Sequence, residues 1–160
     1  AQGNREVSHP ELSPDGNKFV LRTLNETQEN LAIINRDGSI ERFVVEEKFN
    51  DRIPHWSPDG KRIAFQTDRT GKYQIWTINQ DGSDAKQITF SEKIGAVNPV
   101  WSPDGSKIIF GELGEKYETP YILDLTKPWT EQTPEKIPPP PDFSASYSAR
   151  DWSADGNKLL

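Results

Sequence analysis

Short apolar runs alternate with turn sequences along this chain, and one combination of the two occurs four times. The four segments are ELSPDGNKFVL (11–21), HWSPDGKRIAF (55–65), VWSPDGSKIIF (100–110) and DWSADGNKLL (151–160). Intervals of 44, 45 and 51 residues separate their serines, which are Ser13, Ser57, Ser102 and Ser153. A period of this length indicates a repeat architecture, in which each repeat buries its apolar faces against its neighbours.

Each segment places an Asp-Gly pair before an apolar run, which is a strong short-range signal for a β-hairpin. The glycine adopts a positive φ at low cost, and the aspartate side chain bonds its own backbone. The paired residues are Asp15 and Gly16, Asp59 and Gly60, Asp104 and Gly105, and Asp155 and Gly156. After the turn, adjacent positions are all apolar, as in Ile63-Ala64-Phe65, so both faces of the predicted strand should be buried.

The second copy shows most clearly how one repeat divides into strands and turns. A turn over 68–71 precedes a third strand over 73–78, and a turn over 79–83 precedes a fourth strand over 85–90. No part of the chain shows a sustained apolar period of 3.6 residues, which argues against helices. Each repeat is therefore predicted to form four short antiparallel strands, the architecture of one β-propeller blade, in an all-β fold.

The second copy also carries a longer motif that resembles a known repeat. Its sequence Pro-x-Trp-Ser-Pro-Asp-Gly-Lys-Arg-Ile-Ala-Phe-Gln-Thr-Asp-Arg-x-Gly, followed by Ile-Trp, Asp-Gly and Gln-Ile-Thr, resembles the WD40-like PD40 repeat of TolB-type β-propellers. The resemblance extends over about residues 10–160. Leu12 replaces the tryptophan of the first copy, Ala154 and Arg150 replace two prolines of the fourth, and the third copy lacks the Asp-Arg-x-Gly turn.

These repeats predict one partial propeller domain over residues 1–160 with about three and a half blades. The expected limits are about 9–46 for blade 1, 53–90 for blade 2, 98–139 for blade 3 and 149–160 for the start of blade 4. Propellers close with four to eight blades, and each blade buries its faces only against neighbours. We therefore expect a part of a six- to eight-bladed propeller. The alternative is self-association, in which a second copy completes the propeller.

Composition and charge narrow the classes of partner. The chain has 19 basic and 25 acidic residues and a net charge of −6, which argues against a general nucleic-acid-binding surface. No apolar run approaches the ~20 residues of a membrane span. The lack of cysteine excludes disulfides and thiol chemistry but leaves the compartment open. The similarity to TolB-type families implies a bacterial protein in the periplasm or another extracytoplasmic compartment.

The sequence contains no motif for catalysis, a cofactor or a metal centre. It has no Gly-x-Ser-x-Gly elbow and no Walker motif, and two histidines are too few for a His-rich metal site. His55 lies on the predicted innermost strand and is a candidate for the central channel, with packing at the blade root as the alternative. Trp56, Trp101 and Trp152 are predicted core residues, with stacking on a ligand as their alternative role.

One face of the predicted propeller gathers the loops between second and third strands and the loops that lead into the next blade. The residues expected on this candidate binding face are Arg52, Asp68, Arg69, Lys72, Lys116, Tyr117 and Tyr147. Mixed charges and tyrosines are typical of a polar protein-binding surface with a few anchors. A solvated rim without a binding role is the alternative interpretation.

Three functions follow from these observations. The resemblance to TolB-type propellers implies a non-catalytic scaffold that binds a protein or a peptide. A second hypothesis is the propeller that controls substrate access in a larger serine peptidase of the S9 type. A third is a propeller whose channel binds a small molecule, a sugar or a metal ion. Because a fold does not define a function, the residues alone leave these three open.

Overall fold

Each of the first three repeats folds into one four-stranded antiparallel sheet whose strands follow one another in chain order. The computed structural model describes residues 6–25, 27–45, 48–127, 131–139, 148 and 150–160. The first sheet contains β1 (Glu6–Leu12), β2 (Lys18–Asn25), β3 (Gln28–Asn35) and β4 (Ile40–Val45). The second contains β5 (Asp51–Trp56), β6 (Arg62–Thr67), β7 (Gln74–Asn79) and β8 (Lys86–Gln87). The third contains β9 (Gly95–Trp101), β10 (Lys107–Leu113), β11 (Glu118–Asp124) and β12 (Glu135–Lys136).

The prediction of an all-β fold with four-stranded antiparallel blades is confirmed, and the chain forms a partial propeller. The first strand of each sheet begins earlier than the repeat suggested. β5 begins at Asp51 because this residue pairs with Thr67 at the end of β6, and β9 begins at Gly95 because it pairs with Leu113. In the fourth copy, Trp152 bridges Leu159 in the antiparallel sense, as expected for a hairpin that starts another sheet.

The first strand of each sheet contains a bulge at the residue before its proline. His9, Ile53 and Asn98 have φ values of 52°, 49° and 56°, and the strand register shifts at each of these places. A positive φ is uncommon outside glycine and unusual for a β-branched residue. The following proline cannot donate to a ladder, so a bulge is one of the few positions in a strand that accept it. The bulge bends the strand, and the same bend recurs in all three sheets.

The Ser-Pro-Asp-Gly turn is held by a local hydrogen-bond network. In the second copy, Ser57 Oγ donates to Asp59 Oδ1 at 2.7 Å, and Gly60 N–H donates to Ser57 O at 2.8 Å. Lys61 N–H also donates to Asp59 Oδ1, at 3.0 Å. The serine–aspartate bond recurs in the other three copies at 2.6 Å, so each turn has the same shape. The network lowers the pKa of the Asp59 carboxyl, mainly through the serine hydrogen bond.

The same turns also make contact between consecutive blades. A Cβ atom placed on Gly60 would lie 3.7 Å from Cδ of Pro14, the proline of the preceding turn. The same distance relates Gly105 to Pro58 and Gly156 to Pro103. The proline of each turn therefore lies against the glycine of the next. This contact gives the repeated Pro-Asp-Gly sequence a role between blades as well as within a turn.

The apolar core lies between neighbouring sheets, as the pattern of continuous apolar runs predicts. One cluster joins Val20, Leu31 and Ile33 of the first sheet to Trp56 and Phe65 of the second. A corresponding cluster joins Ala64 of the second sheet to residues of the third, which are Trp101 and Ile108. Each sheet is therefore stabilised by burial against its neighbours, since each covers an apolar face of the next.

The tryptophans of the second, third and fourth copies differ in burial. The exposed fraction is 3% for Trp56 and 8% for Trp101, whereas Trp152 is only half-buried. We expect Trp56→Ala to lower the free energy of unfolding by about 3–5 kcal/mol, because it removes a large side chain from a packed interface. Trp152→Ala should cost clearly less, since fewer of its contacts are buried. Urea unfolding followed by circular dichroism measures both variants, and equal losses would contradict this assignment.

Candidate functional site

The residues directly before the repeated tryptophan position, which Leu12 occupies in the first copy, form one candidate site. These equivalent positions hold Glu11, His55, Val100 and Asp151. β1 contacts β5, and β5 contacts β9, so the first strands of successive blades lie side by side. The structure thus brings the channel candidate His55 next to Glu11, a residue to which the sequence analysis gave no role.

Glu11 and His55 are connected to the backbone of the following blade. Trp56 N–H donates to Glu11 Oε2 at 2.9 Å, and Glu11 Oε1 lies 3.4 Å from His55 Nε2. One blade further, Trp101 N lies 3.5 Å from His55 Nδ1. β5 and β9 are edge strands of their sheets, so their outward N–H groups have no ladder partner within the same sheet. Glu11 of the preceding blade therefore supplies the acceptor for the Trp56 amide, and His55 lies beside the Trp101 amide.

Burial shifts the pKa of both side chains toward their neutral forms. Burial raises the pKa of the Glu11 carboxyl to about 8, and the negative charge of Asp151 adds to this shift, against the opposing effect of the Trp56 N–H. Burial also lowers the pKa of His55, while its hydrogen bond to Trp56 and the charge of Asp151 act in the opposite direction. Both pKa shifts favour the uncharged forms of the two side chains near neutral pH.

A second polar cluster joins blades 1 and 2 near the start of β5. The carboxylate of Glu29 is almost fully buried and accepts hydrogen bonds from the guanidinium groups of Arg22 and Arg52. The Arg52 guanidinium also lies over the ring of Tyr73, 5.2 Å from its centroid. Arg52, expected on the candidate binding face, is thus partly exposed and also connects two blades.

Arg69 lies inside blade 2 and not on an exposed face. Its side chain is only 11% exposed, and Nη2 lies 3.2 Å from Oδ1 of the fully buried Asp51. Its guanidinium also lies 4.7 Å from the ring centroid of Trp76 and 5.6 Å from that of Phe65. The expectation that Arg69 presents its charge to a partner is corrected by this packing. The arginine of the Asp-Arg-x-Gly sequence instead forms an ion pair with the buried carboxylate of Asp51.

The other residues expected on the candidate binding face fall into two groups. Asp68 accepts hydrogen bonds from N–H and Nδ2 of Asn50, at 2.9 and 2.8 Å, and so fixes the loop that leads into β5. Lys72, Lys116 and Tyr117 are exposed, and Tyr117 has an exposed fraction of 56%. Tyr147 lies outside the described residues.

Glu118 is a further residue that the sequence analysis missed. It occupies the position in the third sheet that Glu29 and Tyr73 occupy in the first two. All three residues lie at the same spacing after the serine of the repeated motif, and this regular spacing could have identified Glu118 as a candidate. Its Oε2 accepts a hydrogen bond from Asn98 Nδ2 at 3.1 Å and lies 3.4 Å from Nη2 of Arg150. Arg150, noted only as a departure from the proline pattern, therefore bridges the third sheet and the fourth copy.

A cavity of about 420 Å³ opens between the second and third sheets, beside the exposed loops. Its lining includes Phe90, Lys93, Phe110, Glu112, Tyr121 and Pro134. The rings of Phe110 and Tyr121 stack with centroids 5.8 Å apart, and Lys93 Nζ lies 2.7 Å from Glu112 Oε2 at the rim. The cavity thus combines an apolar floor with a charged rim.

The described part of the chain offers no group of three His, Cys, Asp or Glu side chains suited to a metal ion. Within those same residues, no helix has the length and the apolar character needed to cross a bilayer.

The stacked four-stranded sheets and their interblade contacts define a β-propeller of the repeat class. The family model for the TolB beta propeller domain, PD40, matches residues 1–134, and the chain belongs to this family. The prediction made from the PD40-like motif is therefore confirmed. A search of curated protein sequences found no significant match.

Solved structures with the same fold include TolB proteins. TolB from Acinetobacter baumannii is 20% identical with a TM-score of 0.73, over 94% of this chain and 36% of that chain. A TolB-like protein from Agrobacterium tumefaciens is 25% identical with a TM-score of 0.72, over 84% and 50%. The β-propeller domain of the Trilobed protease from Pyrococcus furiosus is 26% identical with a TM-score of 0.58, over 91% and 46%. The chain thus spans half or less of each of these proteins.

The buried position of Arg69 predicts a loss of stability when its charge is removed. Arg69→Ala leaves the Asp51 carboxylate buried without this cation, and breaking a buried pair in this way typically costs about 3–5 kcal/mol. Lys116→Ala, on an exposed loop, should change the free energy of unfolding by no more than about 0.5 kcal/mol. Thermal unfolding of the two variants at pH 7 compares them, and an Arg69→Ala variant as stable as Lys116→Ala would refute the buried role.

Proposed function

We propose that this chain is part of a non-catalytic TolB-like propeller that binds a protein or peptide partner through the exposed residues of the candidate binding face, which are Lys72, Lys116 and Tyr117. The observation that carries the proposal is membership of the TolB β-propeller family. The similar proteins from Acinetobacter and Agrobacterium are described as TolB or TolB-like. A propeller places its variable loops at one face, and the rigid sheets hold those loops in position for recognition.

The chemistry of the exposed residues supports recognition of a peptide. Tyr117 provides an exposed aromatic ring next to the cation of Lys116, and Lys72 occupies the equivalent loop of the second sheet. Aromatic residues are enriched among the anchors of protein interfaces, and charged groups surround them at the rim. The cavity beside Phe90 offers an apolar site for one side chain of the partner, with the Lys93–Glu112 pair at its edge.

A second candidate function is the propeller of a larger peptidase. The similarity to the propeller of the Trilobed protease covers 91% of this chain, and a puromycin hydrolase with 20% identity has a TM-score of 0.65. In this case the same face would control access to a catalytic domain elsewhere in the protein. Assay of the full-length protein against peptide substrates separates the two candidates, since the scaffold has no hydrolytic activity.

The proposal also covers the cellular compartment of the domain and the source of the other blades. We infer an extracytoplasmic location from the TolB relatives. The remaining blades of the propeller are supplied either by further blades of a longer chain or by a second copy. Because one blade covers the apolar face of the next, either source would cover the face of the first sheet that carries the exposed Val7.

A peptide library displayed on phage tests the binding face directly. Peptides selected on the wild-type protein should bind at least about tenfold more weakly to a Lys72→Glu, Tyr117→Ala variant, a loss of about 1.4 kcal/mol or more. Lys61→Glu is the matched control, because Lys61 is highly exposed but lies in the Asp-Gly turn on the opposite side of the sheets.

Two results would argue against this face. The first is that no peptide is enriched on the wild-type protein. The second is that binding survives in the Lys72→Glu, Tyr117→Ala variant but is lost in Lys61→Glu. Circular dichroism spectra of both variants, recorded beforehand, ensure that a loss of binding is not a loss of folding.

A further inference from the structure

The polar contacts along the first strands link three consecutive blades through one histidine. Glu11 belongs to the first blade, His55 to the second and Trp101 to the third. Glu11 Oε2 accepts the Trp56 N–H, which leaves Oε1, 3.4 Å from His55 Nε2, as the oxygen free to carry a proton. His55 therefore meets a carboxyl group on one ring nitrogen and two backbone groups on the other.

The two backbone groups near His55 Nδ1 require opposite protonation states of this nitrogen. Trp56 O lies 3.2 Å away and requires a proton on Nδ1, whereas Trp101 N lies 3.5 Å away and requires a lone pair there. A neutral imidazole carries its proton on only one of its two nitrogens. In either neutral tautomer, only one of these two hydrogen bonds can form.

We propose that the protonation state of Glu11 selects the tautomer of His55 and thereby switches Nδ1 between a bond within blade 2 and a bond to blade 3. When Glu11 is protonated, its Oε1–H faces Nε2, the ring proton resides on Nδ1, and Nδ1–H donates to Trp56 O. When Glu11 loses its proton to solvent, its carboxylate attracts the ring proton to Nε2. Nδ1 then accepts the Trp101 N–H.

The surroundings of Glu11 place this switch close to neutral pH. His55 faces Glu11 from β5, and Asp151 acts on it from the fourth copy. On β2 the residue paired with Glu11 is Val20, and on β9 the position equivalent to His55 is Val100, so both contribute only apolar groups. Burial raises the pKa of Glu11 to about 8, so a modest rise in pH ionises it.

The switch would couple pH to the contact between the second and third blades. Below the transition, the Trp101 amide lacks the His55 acceptor, and above it the two blades gain one hydrogen bond through the ring. This hydrogen bond ends a chain that runs from the Glu11 carboxylate through the His55 ring, and hydrogen bonds in such a chain polarise one another. The expected consequence is a change of hydrogen-bond partner at the junction of blades 2 and 3. The fold as a whole loses stability as the pH rises from the ordinary carboxyl range toward 8, because the pKa of Glu11 is raised in the folded state.

Nitrogen-15 NMR of the histidine rings tests the proposal on the 160-residue chain between pH 6.5 and 10. The wild-type His55 ring should change from the Nδ1–H to the Nε2–H tautomer with a midpoint near pH 8, and the Trp101 amide should shift at the same midpoint. In Glu11→Gln, the neutral amide cannot ionise, so His55 should keep one tautomer throughout. His9, the second histidine, serves as an internal reference that should not follow this transition.

Asp151→Asn provides a second variant that does not remove either member of the pair. Since the Asp151 charge raises the pKa of Glu11, its removal should move the His55 transition to lower pH. The proposal is overturned if wild-type His55 shows no tautomer change, if Glu11→Gln shows the same change, or if Asp151→Asn leaves the midpoint in place. Should Glu11→Gln fail to fold, the wild-type titration and the Asp151→Asn shift decide the question.

Discussion

The first strand of every blade lies at the edge of its sheet, and its outward amides and apolar face need partners from outside that sheet. An unpaired buried amide costs about as much as a lost hydrogen bond, and an uncovered apolar face costs more as its area grows. The preceding blade provides both a hydrogen-bond acceptor for the amide and an apolar surface that covers the face. Glu11 accepts the Trp56 N–H, and the core residues of the first sheet cover Trp56 and Phe65. Contacts between blades therefore contribute to the stability of each sheet.

The remaining features of the molecule follow from this requirement. The bulge at Ile53 bends β5, and the turns beyond it form a row in which Pro14 touches Gly60 and Pro58 touches Gly105. At the other end of the sheets, Glu29 binds Arg52 across the same interface. The loops between second and third strands are held at their bases by such contacts, which leaves exposed residues such as Tyr117 available for a partner.

Much of this architecture could be predicted from the sequence, because the repeat period and the Asp-Gly turns report on local structure. The four-stranded blades and the burial of Trp56 follow from turn chemistry and apolar patterning. The candidate site could not be predicted in the same way. Arg69 looked like a surface residue because its loop is polar, but its partner Asp51 lies 18 positions earlier and is buried. The other copies hold residues of different types at the position of Glu11, so the repeat pattern did not identify Glu11 as a functional residue.

Hydrogen exchange of the Trp56 amide is the most direct test that a side chain of the preceding blade completes the outer edge of β5. The account predicts protection of this amide comparable to that of the ladder amides of β6, and a selective loss of that protection in Glu11→Ala. An amide that exchanges as fast as those of the exposed loop around Lys116, or that keeps its protection in Glu11→Ala, would contradict the account.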